Sequence, residues 1–190
     1  MQVIAGSARR ILLKTLPGDH TRPTSDRVKE TLFNILQPDI QGCYFLDLFA
    51  GCGGIAIEAL SRGAREAVLV DNSRRACEVI RDNLERTHLA DKAILLQTDA
   101  LAAARRLSAQ GRRFDIIFLD PPYDAGIEKV LLSLLAELPL LEKGGRIILE
   151  TRAENRYPEL EAWGLVLKRE KIYKNNKHVF LTRKEALHGE

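Results

Sequence analysis

The sequence predicts an α/β protein with a doubly wound, mostly parallel sheet, and three observations support this. Between Tyr44 and Glu150 short apolar runs alternate with helical patterns. Carboxylates stand at or just beyond the ends of successive runs, at Asp47, Asp71, Asp99 and Asp120. A glycine-rich turn follows the first run. Strands alternating with helices need right-handed crossovers, which cover both faces of a parallel sheet. In such sheets ligands bind in the crevice beyond the carboxyl ends of the strands. A chain of 190 residues can bury a full core as one domain.

Taken in order, Val3 to Lys14 reads as a small hairpin, with apolar residues on both sides of Gly6-Ser7 and Arg9 and Arg10 on its second arm. From Thr21 to Leu36 the apolar residues Val28, Leu32, Phe33, Ile35 and Leu36 recur at helical spacing. Thr24 or Ser25 would cap this helix, Arg27 and Lys29 would lie on its polar side, and Pro38 would close it. Strands are expected at Tyr44–Phe49, Ala67–Val70, Ala93–Gln97, Ile116–Leu119 and Arg146–Glu150. Helices are expected at Gly54–Arg62, Ser73–His88, Ala100–Ala109, Ile127–Glu137 and Asn155–Ala162. Leu165–Tyr173 and Lys177–Thr182 flank Lys174-Asn175-Asn176, a turn signal, so the sheet is expected to end in an antiparallel hairpin. Residues 1–37 thus form an N-terminal hairpin and helix, 38–184 the core, and 185–190 a frayed polar tail.

The composition, 45% hydrophobic and 29% charged, is that of a soluble globular protein. No stretch has the length or apolarity of a signal peptide or membrane span. Cys43, Cys52 and Cys77 have neither disulfide-framework nor zinc-site spacing, and read as reduced thiols of a cytoplasmic protein without a bound metal. The net charge of +3 is unevenly distributed. Residues 1–36 carry Arg9, Arg10, Lys14, Arg22, Arg27 and Lys29 against three acids, and residues 165–184 carry seven Lys or Arg against Glu170 alone. Basic ends around an acidic middle point to a polyanionic partner.

The chemistry concentrates at Asp115-Ile116-Ile117-Phe118-Leu119-Asp120-Pro121-Pro122-Tyr123. The apolar run reads as a buried parallel strand that ends where proline cannot continue the ladder. Pro122 lacks an N–H and pushes Pro121 toward extended backbone, so the Pro121 carbonyl is an acceptor without a helical partner. The Asp120 carboxylate is a second acceptor, and Tyr123 offers a flat face for stacking a base. Two acceptors beside a stacking surface suit the exocyclic amine of a nucleobase. Accepting hydrogen bonds from its two protons favours a pyramidal nitrogen with a usable lone pair.

The turn Asp47-Leu48-Phe49-Ala50-Gly51-Cys52-Gly53-Gly54-Ile55-Ala56 lets backbone amides approach a ligand closely. Its Gly51-x-Gly53-x-x-Ala56 spacing, with Asp71 twenty residues after Gly51, also fits a dinucleotide fingerprint, so a nicotinamide-dependent dehydrogenase is one reading. Asp47, however, is a poor neighbour for a pyrophosphate and a good anchor for an ammonium group, and D-P-P-Y has no role in hydride transfer. An adenosyl cofactor with an amino acid tail, S-adenosylmethionine, fits better. Asp47 and the Gly51–Gly53 turn would hold its methionine part, Asp71 its ribose hydroxyls and Asp99 its adenine amine. Asp71 and Asp99 also precede predicted helices, where Asp is a common cap.

Together with Gly6-Ser7-Ala8-Arg9 and Thr21-Arg22-Pro23-Thr24-x-Asp26-Arg27-Val28-Lys29-Glu30-x-Leu32-Phe33-Asn34, these motifs resemble the RsmD family of bacterial guanine-N2 methyltransferases acting on small-subunit ribosomal RNA. The likeness spans nearly the whole chain. D-P-P-Y is shared with amino-methyltransferases of DNA adenine and cytosine; the N-terminal block is more specific. Cys52 stands where the family usually has Ser, and Gly54-Ile55-Ala56 where it usually has Ala-Leu-Gly. The resemblance implies a class I methyltransferase fold, a Rossmann-like seven-stranded sheet with an antiparallel last strand, and an N-terminal segment around Arg22 and Thr24 that helps cover the cofactor.

The candidate catalytic residues are therefore Asp120, Pro121, Pro122 and Tyr123. Those for S-adenosylmethionine are Arg22, Thr24, Asp47, Phe49, Gly51, Gly53, Asp71, Asn72, Asp99 and Ala100. Those for ribosomal RNA are Arg9, Arg10, Lys168, Arg169, Lys171, Lys174 and Lys177, in a protein expected to act as a monomer. A DNA amino-methyltransferase and a non-catalytic RNA-binding module are the other readings.

Overall fold

Each apolar run singled out as a strand is one. They are β1 (Tyr44–Asp47), β2 (Glu66–Asp71), β3 (Ala93–Gln97), β4 (Phe114–Leu119), β5 (Leu141–Arg152), β6 (Leu165–Ile172) and β7 (Asn176–Arg183). The computed structural model describes residues 1–16, 26–122 and 126–184. The expected cap at Thr24 or Ser25, the candidates Arg22, Thr24 and Tyr123, and the tail 185–190 lie outside these residues.

The strands join in one seven-stranded sheet in the order β3-β2-β1-β4-β5-β7-β6. Pairing is parallel from β3 across to β5, and β7 runs antiparallel to both β5 and β6. This is the class I methyltransferase arrangement that the resemblance implies. The chain winds outward from β1 to β3 and then crosses back to β4, so the switch point lies between β1 and β4.

Side chains of a strand alternate between its two faces, and the core divides accordingly. Phe45, Leu69, Phe118, Ile148 and Phe180 face α1 (Asp26–Ile40), α2 (Gly54–Ser61) and α3 (Arg74–Thr87). Leu46, Val68, Ile117, Leu119 and Leu149 face α4 (Ala100–Ala109) and α5 (Ile127–Glu137).

Three expectations need correction. Pro38 lies inside α1, which continues to Ile40. So near a helix end, proline removes little more than its own bond to the preceding turn, while Ile40 extends the buried stripe of Leu32, Phe33 and Leu36. Lys29 is not on the polar face: it is fully buried. Asn155–Ala162 forms turns rather than a helix. Pro158 disfavours helical backbone at Tyr157, and Asn155 and Tyr157 are tied instead to Glu128 of α5 and Thr151 of β5.

The N-terminal hairpin is built as expected, with Gln2 bridging Leu12 and the Val3 N–H donating to the Ile11 carbonyl at 3.0 Å. It is clamped along α2. The buried Glu58 carboxylate accepts from the Ile4 and Ala5 N–H groups (2.8 and 3.1 Å) and from Arg62 Nε (2.7 Å), and pairs with Lys29 Nζ at 3.3 Å. Lys29 Nζ also donates to the Gln2 carbonyl at 2.5 Å. At the far end of α2 the Ser61 hydroxyl accepts from the Ala8 N–H and donates to the Ala5 carbonyl. Gly6, at φ +84°, sits where a Cβ would run into the Ser61 carbonyl oxygen, so no larger residue fits this contact.

Candidate functional site

Four of the parallel strands deliver a carboxylate to the same region. Asp47 is opposite Phe118 in the β1–β4 register, and Asp120 lies two residues beyond Phe118. One strand period of two residues is about 7 Å, so Asp47 and Asp120 project from the same face of adjoining strands. Asp71 extends the alternation of Leu69 on β2, and Glu150 that of Ile148 on β5, on that face as well.

The turn after β1 fills the switch point. The Leu48 N–H donates to the Phe118 carbonyl (3.1 Å), and the Ala50 N–H to the Val70 carbonyl (2.9 Å), so the chain leaves β1 still held between β4 and β2. Gly51 and Gly53 have φ of +56° and +82°, the left-handed region that glycine adopts without steric cost. A Cβ at Gly51 would meet nothing within 4 Å, which leaves open space above the backbone there. At Gly53 it would press on Ile57 and Leu69, so Gly53 serves packing. Gly53 is the N-cap of α2 and offers no side-chain bond, so the first N–H groups of α2 have no side-chain cap.

Asp71 works on this turn. Its Oδ2 accepts from the Gly51 N–H and its Oδ1 from the Ser73 N–H, both at 2.9 Å. The cap of α3 is Ser73, not Asp71. Asp99 does cap its helix, accepting from the Ala102 N–H at 2.9 Å. A carboxylate has about four acceptor positions, so neither role prevents a further bond to a hydroxyl or amine. Asn72 is exposed beside Asp71, Ala100 is buried at the start of α4, and Phe49 is half-buried against the α4–α5 side of the core.

Electrostatics set the two central carboxylates apart. Asp47 is 1% exposed, and burial raises its pKa to about 7, with the Phe49 N–H opposing the shift and Asp71 adding to it. Burial, then Glu150, then Asp47 hold Asp120 well above the ordinary carboxylate range. Asp120 is half-buried, Pro121 buried and Pro122 exposed. Burial also raises the Cys52 thiol, which leaves it a small, weakly reactive turn residue.

The basic candidates divide. Arg169 and Lys171 of β6 lie opposite Phe180 and His178, which puts them on the carboxylate face at the sheet edge. Lys168 and Lys174 are exposed. Lys177 is not a surface residue: it is 1% exposed, pairs with Glu170 at 2.5 Å and donates to the Asn155 carbonyl at 2.9 Å. Buried and bonded in this way, it is a structural residue of β7 rather than an RNA contact. Arg9 and Arg10 are exposed at the hairpin turn, beside Ser61. That is the end of α2 remote from the glycine turn, about 12 Å along an eight-residue helix.

Against this geometry, the family described as "Conserved hypothetical protein 95" matches residues 1–182. The chain belongs to this family, the RsmD family of its motifs. Within it, the chain is 40% identical to "Putative rRNA methyltransferase YlbH" of Bacillus subtilis, over 91% of this chain and 94% of that one. It is 35% identical to "Ribosomal RNA small subunit methyltransferase D" of Escherichia coli strain K12, over 90% and 84%. The solved structure of "Putative methyltransferase yhhF from Escherichia coli" superposes with a TM-score of 0.82 at 33% identity, over 98% and 99% of the two chains.

The family match begins at residue 1 and so includes the hairpin clamp, whose buried members sequence reasoning missed. Glu58 and Ser61 were legible as polar residues in a helix whose every residue is buried. Asn83, fully buried on α3, bonds the Lys14 backbone at both its N–H and its carbonyl and the Cys52 carbonyl, tying the hairpin's exit to the glycine turn. Glu150 was missed although it repeats the signature of Asp47, Asp71 and Asp120, an apolar run ending in a carboxylate.

Proposed function

We propose that this chain transfers a methyl group from S-adenosylmethionine to the exocyclic N2 of a guanine in small-subunit ribosomal RNA. The observation that carries this reading is the placement of Asp47 and Asp120 on one face across the switch point, one strand period apart. The names of its relatives in the family support ribosomal RNA as the substrate class.

The residues present fit the cofactor. Open space above Gly51, the α2 N–H groups without a side-chain cap and a buried carboxylate at Asp47 suit an amino acid tail that carries both a carboxylate and an ammonium. Asp71 would take the ribose hydroxyls and Asp99 the adenine amine, with Asn72, Phe49 and Ala100 alongside and Arg22 and Thr24 covering the site. When bound, the cofactor supplies an activated methyl on a sulfonium, and its transfer to an amine leaves one proton to be removed. Asp120 and the Pro121 carbonyl hold the two N2 protons, Pro122 stiffens the turn, Tyr123 stacks the flipped base, and Asp120 takes the surplus proton.

Because Asp47 must be ionised to hold an ammonium group, and its pKa is raised to about 7, affinity for S-adenosylmethionine is expected to rise with pH up to about 7 and level off above it. Calorimetric titration at several pH values checks this, and Asp47→Asn is expected to be weak and flat across the same range.

RNA would approach over the β6 edge, where Arg169 and Lys171 share the face of the carboxylates. Arg9 and Arg10, at the remote turn, would contact phosphates away from the reacting base. Replacing Lys168, Arg169, Lys171 or Lys174 with Gln is expected to weaken RNA binding and to lower the salt slope by about one for each lost contact. Lys177→Gln is expected to lower the melting temperature and leave that slope unchanged; filter binding across a salt series separates the two groups.

Comparing N2-methylguanosine in small-subunit ribosomal RNA from cells with and without the gene tests the reading itself. One methylated guanine is expected to disappear, and an unchanged pattern would refute the proposal.

A further inference from the structure

Beside Asp120 lies a buried polar array that the transfer as described does not use. Leu149 of β5 pairs with Leu119, the last residue of β4, so Glu150 and the Asp120 that directly follows β4 lie side by side on the same face. Glu150 is 4% exposed. Its Oε1 accepts from Asn176 Nδ2 at 2.7 Å, and its Oε2 lies 2.9 Å from His178 Nε2, directly opposite on β7. His178 has no exposed surface, and its Nδ1 is 3.2 Å from the Tyr173 hydroxyl. The rings of Phe118, Tyr173 and Phe180 meet it edge-on, with centroids at 6.1, 5.2 and 6.4 Å. Burying ionisable groups costs stability even when they are hydrogen-bonded. Such a cluster, seated beside the reacting carboxylate and apart from the hairpin clamp, points to a role at the site.

We propose that Glu150, fixed in place by Asn176 and His178, is a positioning residue whose negative charge makes Asp120 the stronger proton acceptor for the guanine amine. The inference rests on the methyl-transfer reading above. A like charge alongside makes a carboxylate hold a proton more firmly. Burial and Asp47 of β1 act on Asp120 in the same direction as Glu150. Asp71 of β2 and His178 of β7 share the face, as do Arg169 and Lys171 of β6 at the sheet edge. In the transfer, the N2 lone pair forms the new N–C bond while the C–S bond breaks, leaving its electron pair on sulfur. One N2 proton passes to ionised Asp120, and Glu150 gains and loses nothing.

The test is kcat against pH for the wild type and for Glu150→Gln, with S-adenosylmethionine and small-subunit particles. The rate of the wild type is expected to rise with pH as Asp120 ionises. In Glu150→Gln that rising limb is expected to move about one unit or more toward lower pH, with a lower plateau and KM values near wild type. A lower kcat on an unmoved limb would mean that Glu150 is only structural, and would overturn the proposal. A wild type inactive on every RNA would instead refute the methyl-transfer reading. If Glu150→Gln fails to fold, carbon-13 NMR of the Asp120 and Glu150 carboxyls in the wild type decides. A step in the Glu150 signal that follows the Asp120 titration is expected, and two carboxyls that titrate independently would overturn the proposal.

Discussion

Asp120→Ala is expected to lower methyl transfer by about 10³-fold or more while affinity for S-adenosylmethionine stays near wild type. The substitution removes an acceptor that orients the amine and the group that takes its proton, so both positioning and proton transfer are lost together. The cofactor's anchors are separate: Asp47 is on β1, the glycine turn follows it, and Asp71 is on β2. Single-turnover transfer measured beside calorimetric binding checks the split. Equal losses in binding and transfer would mean that Asp120 holds the cofactor rather than the base.

Lys29→Met is expected to cost about 3 kcal/mol or more of stability, because it leaves Glu58 without one of its two cationic partners in a fully buried setting. For a chain of this size that corresponds to a fall in melting temperature of roughly 10 °C, readable by calorimetry. The variant also loses the bond from Lys29 to the Gln2 carbonyl, so the first arm of the hairpin is expected to loosen from α2. Arg74→Ala, which breaks an exposed pair with Glu78 on α3, is the control and is expected to leave the melting temperature unchanged.

Periodicity placed the elements well where it was unambiguous. Ala100–Ala109 and Ile127–Glu137 are helices at the expected bounds, and the strands Ala93–Gln97 and Ile116–Leu119 lie within or match those observed. It failed where tertiary contacts override local preference. Pro38 is tolerated because Ile40 is buried beyond it, and Asn155–Ala162 is held in turns by bonds to Glu128 and Thr151. Lys29 reads as a polar-face residue because a lysine in an amphipathic helix usually is one. Its partner, Glu58, lies on another helix 29 positions away, a pairing that no helical period reveals. Asp47, Asp71 and Asp120 were legible for the opposite reason: each stands at or just beyond the end of an apolar strand, a local pattern that the parallel sheet converts into one cluster.

Transfer of labelled methyl from S-adenosylmethionine, followed by identification of the labelled nucleoside, separates methylation of a ribosomal RNA guanine from methylation of any other acceptor. Small-subunit particles, naked small-subunit RNA and duplex DNA are offered in parallel. Label in ribosomal RNA as N2-methylguanosine is the expected result. Label appearing only in duplex DNA, as a methylated adenine or cytosine amine, would contradict it.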